Sequence, residues 1–226
     1  MRTLLHMPFD PASRAVRLIL AEKGLPARLA ETPPWREDGA LGARNPAGAI
    51  PVLVDEPPTG GEAAIAPASV IADYLEEAYR DCPLLPATSA ARAEARRLFS
   101  WFDLKFESEV NAALLRQRID ARLQGRRRAD ADAQRAALAA LSWHLDYLAF
   151  LLESRPFLAG ERMSIADLGA AAHLSSNDYL GVIPWSNFPA VKEWYQRLKC
   201  RPSFRPLLAD RVDFLPPAAH YADLDF

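Results

Sequence analysis

The stretch Asn45-Pro-Ala-Gly-Ala-Ile-Pro-Val-Leu53 joins a turn to the start of an apolar strand. Asn, Pro and Gly favour the turn, and the apolar run that follows is typical of a buried strand. Pro51 suits the first position of a strand because no ladder donor is lost there. A cis bond would present the Ile50 backbone to a ligand, whereas a trans bond would merely open the strand. The local residues by themselves favour the trans form.

The segments on either side of this turn predict a small α/β domain over residues 1–80. Its order is β-α-β followed by β-β-α. The first helix is predicted to end at Gly24, and residues 32–45 are predicted to form a long loop that carries Trp35. The predicted strands cover residues 3–7, 27–31, 50–54 and 62–66, and the last helix covers residues 67–79.

The sequence pattern changes after residue 80, from mixed strand and helix patterns to helical periodicity. Residues 81–89 read as a proline-bearing linker, and residues 90–213 show helical periodicity almost throughout. The tail, residues 214–226, begins with a proline-rich stretch and has no clear periodicity. Helices are predicted over residues 90–124, 130–154, 164–178 and 189–200.

Composition narrows the functional classes. The 226 residues include 27 Lys and Arg against 29 Asp and Glu, a formal charge of −2, so bulk charge gives no reason to expect nucleic-acid binding. No apolar stretch reaches the roughly 18 residues of a membrane span, so we expect a cytoplasmic protein without integral membrane association. Cys82 and Cys200 are too few for a disulfide scaffold or a cysteine-based zinc site, and the four scattered histidines suggest no metal site.

Two serines are predicted at helix starts. Ser13, in Phe9-Asp-Pro-Ala-Ser-Arg14, either caps the first helix or uses its hydroxyl to stabilise an anion there, and the capping interpretation is favoured. Ser164-Ile-Ala-Asp167 has the spacing of a capping box, in which each of the two side chains bonds a backbone N–H. This second motif is structural and carries no chemistry.

Four segments, in the same order, resemble those of the cytosolic glutathione transferases. They are Ser13-Arg-Ala-Val-Arg-Leu-Ile-Leu20, the turn at Asn45, the capping box at Ser164, and Arg201-Pro-Ser-Phe204. The resemblance implies a thioredoxin-like N-terminal domain and an all-helical C-terminal domain. It also implies that Pro51 is cis, against the local interpretation.

The glutathione site implied by this resemblance looks vestigial. Family members that bind glutathione resemble Glu-Ser-x-x-Ile-x-x-Tyr-Leu at the last helix of the N-terminal domain, and here Pro67 and Ala68 replace Glu and Ser. Ser69, turned about 100° round the helix, is expected to be a poor substitute. The vestigial site consists of Ser13, Ile50, Pro51, Pro67 and Ala68, and we expect it to hold no cofactor. The alternative is a transferase or isomerase in which Ser13 activates glutathione.

Three surface features are candidates for binding a protein partner. Trp35 lies in a polar loop and is either an interface anchor or packed on the chain's own dimer partner or core. The segment 116–128 holds six arginines against Asp120, which predicts either a solvated helix end or a docking patch for an acidic partner. The ending His220-Tyr-Ala-Asp-Leu-Asp-Phe226 docks either on its own fold or on a partner. The residues assigned to partner binding are Trp35, Arg116, Arg118, Arg122, Asp223, Asp225 and Phe226.

The loop, the missing Glu-Ser pair and the tail together resemble the transferase-like proteins of bacterial cell division that bind the tubulin-like protein FtsZ. This resemblance implies a non-catalytic homodimer that bundles or curves FtsZ filaments at the division site. Two identical docking surfaces on one rigid body suit a polymer with repeating sites.

Overall fold

The N-terminal domain is a four-stranded sheet with helices. A computed structural model describes residues 2–36, 39–57, 60–126 and 130–226. The domain contains, in chain order, β1 (Arg2–His6), α1 (Pro11–Glu22), β2 (Ala27–Glu31), α2 (Ala40–Arg44), β3 (Val52–Asp55), β4 (Ala63–Ile65) and α3 (Ala68–Ala78).

The sheet has the strand order β2-β1-β3-β4. β1 runs parallel to β2 and antiparallel to β3, and β3 runs antiparallel to β4. Leu4 of β1 lies opposite Leu29 on one side and Leu53 on the other, and both Leu4 and Leu53 are fully buried. The four predicted strands are present, and the thioredoxin-like fold class is confirmed.

The short helix α2 lies inside the segment that was predicted to be a long loop. Its five residues make little more than one turn, too few for a 3.6-residue periodicity to stand out. Leu41 is its one buried residue. Gly39, with φ of 73°, allows the chain to enter this turn in a left-handed conformation.

The C-terminal domain begins with a long helical path whose turns are not uniform. It starts as α4 (Ser89–Ser100) and continues through a π-helical segment (Trp101–Asn111), α5 (Ala112–Leu114), a second π-helical segment (Arg116–Asp120) and α6 (Ala121–Leu123). Residues 90–124 are thus helical as predicted, but much of the path has wide turns. Residues of both wide segments line the cleft described below.

Four further helices complete the domain, and α8 lies at its centre. They are α7 (Ala131–Leu152), α8 (Ile165–Tyr179), α9 (Pro189–Lys199) and α10 (Arg205–Ala209), with single 3-10 turns at Trp185–Asn187 and Pro202–Phe204. Every residue of α8 is buried. The predicted capping box is present, because the Ser164 side chain and the Asp167 carboxylate each accept a backbone N–H at its start. Among the described residues, no helix is both long and apolar enough to cross a bilayer.

The two domains share one apolar core across the α1–α8 contact, and a buried arginine links them. Arg14 of α1 donates hydrogen bonds to Ser175 of α8 at 2.8 Å and to the Tyr221 hydroxyl of the tail at 3.1 Å. Its guanidinium also pairs with Asp210 at 3.1 Å. This arrangement fixes the position of α1, whose N-terminal end opens on the cleft between the domains.

Candidate functional site

A cleft runs between the two domains at the start of α1. Three cavities of about 250, 400 and 270 Å³ lie along it, and Asp10 lines all three. Ile50 and Arg116 each line two of them. The cleft therefore brings the predicted glutathione site and part of the predicted partner surface to one place.

The residue that caps α1 is Asp10, and the prediction that Ser13 caps it is wrong. The Asp10 carboxylate accepts a hydrogen bond from the Ser13 backbone N–H at 2.7 Å, and Pro11 is the first helical residue. Asp-Pro is a common start signal because the carboxylate satisfies a free N–H and proline has none to satisfy. This signal in the sequence was available and was missed.

The Ser13 hydroxyl faces the protein interior. Its side chain is fully buried, and its Oγ has no hydrogen-bond partner among the described residues. Ser13 is not among the residues that line the three cavities of the cleft. The structure therefore gives this hydroxyl no visible route to a thiol in the cleft.

Arg116 is an internal ion-pair hub in the wall of the cleft. Its guanidinium pairs with Asp10 at 2.8 Å, Glu107 at 2.7 Å and Asp120 at 3.0 Å. Burial alone would lower the pKa of Arg116, but the three carboxylates outweigh it and raise this pKa above its ordinary value. The prediction that Arg116 offers a free positive charge to a partner is therefore wrong, since its charge is already offset.

The start of α3 places Pro67 and Ala68 at the cleft, and the loss of glutathione contacts there stays a prediction. Ile71 and Leu75 are fully buried, as the alignment of this helix requires, and Pro67 and Ala68 fall at its start. Neither side chain caps the helix, and both line the 270 Å³ cavity. Ser69 also lines this cavity, so the rotation of about 100° round the helix leaves its side chain at the cleft. That Ser69 substitutes poorly for the missing serine stays a prediction.

The Ile50-Pro51 peptide bond is cis, as the family resemblance implies and against the local interpretation. Ile50 is partly exposed and borders two cavities of the cleft. The Asn45 side chain holds the preceding turn by donating a hydrogen bond to the Ala49 carbonyl at 2.8 Å. Residues 48–51 thus form one edge of the cleft.

The lining of the cleft is acidic. Besides Asp10 and Asp120, the carboxylates of Asp103 and Glu107 border the cavities. His173, which pairs with Asp103 at 3.2 Å, lies at the base of the same cavity as Glu107. Sequence reasoning missed these residues because they lie in the wide turns of the long helical path and in α8, far along the chain from α1.

Trp35 is half-buried at the mouth of the cleft. Its side chain lines the 400 Å³ cavity together with Ile50 and Arg116. Partial burial is compatible with both interpretations of Trp35, so its role at an interface stays a prediction. Residues 37 and 38 of the same loop lie outside the described part of the chain.

The arginine-rich segment divides into different environments. Arg118 is partly exposed, and Arg126 is exposed. The Arg122 guanidinium lies over the Phe214 ring at 4.5 Å, which places it beside the 250 Å³ cavity that Phe214 lines. The last two arginines of the predicted patch, residues 127 and 128, lie outside the described residues.

The tail docks on its own fold, which resolves the alternative that the sequence left open. The Tyr221 ring is fully buried. The Phe226 ring packs against Trp185 and lies 4.0 Å from the Lys199 ammonium. Phe226 is thus largely engaged within its own chain, contrary to its assignment as a partner contact.

The two acidic residues of the tail remain accessible. Asp223 and Asp225 are exposed, and the Asp223 carboxylate accepts the Asp225 backbone N–H at 2.9 Å. Leu224 between them is 37% exposed. The tail therefore presents Asp-Leu-Asp on a turn anchored at both ends.

The cysteines and histidines form no further cluster near the cleft. Cys82 and Cys200 are exposed free thiols, and neither lines the three cavities. Within the described ranges, no group of three or more His, Cys, Asp or Glu side chains has the geometry to hold a metal ion.

Family models match both domains of the chain. The model for the glutathione S-transferase N-terminal domain matches residues 4–83, and that for the C-terminal domain matches residues 106–202. The chain belongs to the glutathione S-transferase family.

Relatives within the glutathione S-transferase family span the whole chain. FtsZ-localized protein A of Caulobacter vibrioides (strain NA1000 / CB15N) is 49% identical over 225 residues, which cover 100% of this chain and 98% of that protein. The structure of FzlA from C. crescentus superimposes with a TM-score of 0.95 at 48% identity, covering 100% and 99% of the two chains. A glutathione S-transferase structure from Sinorhizobium meliloti 1021 gives a TM-score of 0.93 at 47% identity, with 100% of both chains covered.

Proposed function

We propose that this chain is a non-catalytic glutathione S-transferase-like protein that binds FtsZ filaments in bacterial cell division and promotes their bundling or curvature. The observation that carries the proposal is the 49% identity with FtsZ-localized protein A over the entire chain. Its place of action is the cytoplasm at the division site. The cleft, the surface residues and the exposed apolar side chains support the proposal in different ways.

The cleft is poorly suited to glutathione. The tripeptide has two carboxylates and one ammonium group, whereas Asp10, Asp103, Glu107 and Asp120 line the 400 and 270 Å³ cavities against Arg116, the one arginine described in the lining of these two. Its γ-glutamyl end would also lack the carboxylate and hydroxyl that Pro67 and Ala68 replace. Each lost charge-assisted hydrogen bond costs about 1.5–3 kcal/mol of binding free energy. The loss of two such bonds therefore weakens glutathione binding on the order of 10²–10⁴-fold.

The accessible partner residues lie in two places. Trp35 and Arg122 flank neighbouring cavities at the mouth of the cleft, both of which are lined by Met7 and Asp10. Together with Arg118, they offer an aromatic ring and positive charge to an acidic face of the filament. Asp223 and Asp225 form a separate acidic site on the tail.

The proposed active form is a homodimer, because two identical docking surfaces on one rigid body can crosslink a polymer with repeating sites. Exposed apolar side chains of the C-terminal domain offer a face for a second copy. Leu104 is 71% exposed, and Trp143 is 50% exposed and stacks on Trp101 at 5.7 Å. Sedimentation analysis of Leu104→Asp tests this face, with a shift from dimer to monomer expected.

Co-sedimentation with polymerised FtsZ tests the main proposal. We expect the chain to pellet with filaments at low salt, and added salt to weaken binding because exposed charges are screened. Trp35→Ala and the charge reversal Asp223→Lys/Asp225→Lys are each expected to weaken binding, the former on the order of tenfold or more. Arg162→Glu, at an exposed position outside these surfaces, is the matched control. Filaments left unbound at low salt would overturn the proposal.

Two further measurements separate bundling and catalysis from simple binding. Electron microscopy of FtsZ filaments with the dimer should show bundles or curved filaments, and the monomeric variant should bind without bundling. Calorimetric titration with reduced glutathione should give no binding heat. The competing function is a glutathione-dependent transferase or isomerase that uses Ser13, and it requires measurable glutathione binding and thiol-dependent turnover abolished by Ser13→Ala.

A further inference from the structure

An apolar groove lies on the N-terminal domain, away from the cleft and beside the free edge of the sheet. Its cavity of about 380 Å³ is formed by the C-terminal half of α1, the start of β2 and α10. We propose that this groove and the edge of β2 bind an extended peptide in which an apolar residue lies between acidic residues. The apolar part of the wall is formed mainly by Leu20, Leu25, Pro26, Leu29, Pro206 and Leu207.

The edge of β2 offers main-chain pairing to such a peptide. Among the described residues, β2 pairs only with β1, on one side. Main-chain N–H and C=O groups of a strand point alternately to its two sides, so about half of those of β2 have no strand beside them. An added peptide strand satisfies these groups, which is a common mode of peptide recognition.

The side chains of β2 connect its free edge to the groove, so a peptide paired with this edge also contacts the groove. Ala27 and Leu29 are two residues apart, so they lie on one face of the sheet, and both line the groove. Leu29 is 46% exposed, which leaves a large apolar side chain in contact with water. A peptide strand paired with β2 places every second side chain on this face, and an apolar one among them removes the groove from water.

The charges around the groove select the flanking residues of the peptide. Arg28 lies between Ala27 and Leu29, so its side chain is on the opposite face of the sheet, the face that the neighbours of the peptide's apolar residue also take. Arg205 adjoins Pro206 of the groove wall. Both arginines are exposed, and neither has an ion-pair partner within the described ranges. Their positive charge complements acidic residues next to the apolar one.

The other charged groups at the groove are already paired. Arg17, which lines the groove, pairs with Asp210 at 2.7 Å. Glu22 pairs with Arg201 at 2.7 Å. Arg14 also pairs with Asp210, so this cluster keeps one positive charge, but both of its arginines are buried. The exposed positive charge near the groove therefore comes from Arg28 and Arg205.

The chain's own tail does not supply this peptide within the same molecule. The Phe226 carbonyl accepts a hydrogen bond from Gln196 of α9 at 3.1 Å, and the Phe226 ring packs on Trp185. We assign the peptide to another protein, and a change of oligomeric state in Leu29→Lys would instead assign the groove to a second copy of this chain. This proposal concerns a different surface from the one assigned to FtsZ and stands independently of it.

Fluorescence anisotropy with a labelled synthetic peptide, Gly-Val-Asp-Leu-Glu-Val-Gly, tests the proposal on the full chain. We expect saturable binding, and about tenfold weaker binding of a peptide with lysines in place of the two acidic residues. A peptide methylated at the backbone nitrogens of alternate residues should also bind about tenfold less tightly, because it cannot pair with the strand edge.

Variants assign the binding to this surface. Leu29→Lys should abolish binding, and Arg28→Glu/Arg205→Glu should reverse the preference toward the lysine peptide. Arg162→Glu should bind like the wild type, and circular dichroism verifies that each variant is folded. The proposal is overturned if the acidic peptide does not bind or if Leu29→Lys retains binding. It is also overturned if Leu29→Lys changes the oligomeric state, because the groove is then a contact between copies of this chain.

Discussion

At the scale of single residues, Arg116 decides the electrostatics of the cleft wall. It is the one arginine among the residues that line both the 400 Å³ and the 270 Å³ cavities, and three carboxylates surround it. Asp10 among them is buried and also caps α1. Loss of the guanidinium leaves these carboxylates to repel one another in a partly desolvated site.

We therefore expect Arg116→Gln to lower the free energy of unfolding by about 2 kcal/mol. This value is smaller than that for a fully buried ion pair because the Arg116 side chain is 31% exposed and solvent screens its charge. Urea denaturation at pH 7 measures it. The deficit should shrink as the pH falls and the carboxylates protonate. Arg118→Gln, which removes an arginine without such partners in the described chain, should cost less than about 0.5 kcal/mol. Equal effects of the two variants would contradict the hub interpretation.

His6 gives the molecule a pH-dependent stability. It lies at the end of β1 with little exposure, and burial, helped by the charge of Arg17, lowers the pKa of His6 to about 4. The unfolded chain has the ordinary value near 6.5, so it binds a proton first as the pH falls. Stability is thus lost between about pH 6.5 and pH 4, up to about 3 kcal/mol for this residue.

The matched variant is His6→Gln, which carries no titrating group at this position. We expect the wild type to lose up to about 3 kcal/mol more than the variant between pH 7 and pH 4, as measured by urea denaturation at each pH. Carboxylates elsewhere titrate in both proteins and cancel in the difference. Parallel stability curves for the two proteins would show that His6 protonates normally in the folded state.

At the scale of elements, the packing of α8 outweighs its intrinsic helix propensity. Gly169 lies within this helix, where alanine is normally better by about 1 kcal/mol. A Cβ at this position would meet Phe99 of α4 at 2.8 Å, closer than van der Waals contact allows. Phe99 is itself buried, so its ring has little room to move.

Gly169→Ala is therefore expected to destabilise the fold by about 1 kcal/mol net, since overpacking of about 1–3 kcal/mol exceeds the gain in propensity. Thermal unfolding measures the change. The double variant Gly169→Ala/Phe99→Leu should recover part of the loss that Phe99→Leu alone suffers, because the smaller side chain makes room for the methyl group. A stabilised single variant would refute the packing argument.

At the scale of the whole molecule, the tail joins elements that are far apart in the chain. Tyr221 bonds Arg14 of α1, and His220 lies 2.8 Å from the buried carboxylate of Asp178 in α8. Phe226 covers Lys199 of α9. The tail is thus part of the packed structure as well as the carrier of the exposed Asp-Leu-Asp turn.

Deletion of residues 220–226 should lower the free energy of unfolding by about 3 kcal/mol or more, because it uncovers Asp178 and removes a fully buried tyrosine. Chemical denaturation measures it. The matched substitution Leu224→Ala, at an exposed position of the same tail, should change stability by less than about 0.5 kcal/mol. A deletion as mild as the substitution would mean that the tail is only loosely attached.

Much of the fold follows from patterns within a few residues of one another. The apolar runs predict the four strands, the Ser164–Asp167 spacing predicts the capping box, and Ile71 with Leu75 fixes the register of α3. These features depend on main-chain hydrogen bonds and on which face is apolar, so local sequence is enough to determine them. The family resemblance added the cis form of Pro51, which the local residues did not favour.

Only the tertiary structure decided the state of the charged and polar side chains. Arg116 is neutralised by Asp10 from 106 positions earlier, Ser13 turns its hydroxyl into the interior, and the tail settles on α8 and α9. A charge in the sequence does not reveal its partner, because ion pairs form between groups that folding brings together from any separation. The sequence by itself determined the elements and the presence of Pro67 and Ala68 at the start of α3, whereas the packing of the two domains determined which charged and aromatic side chains stay exposed.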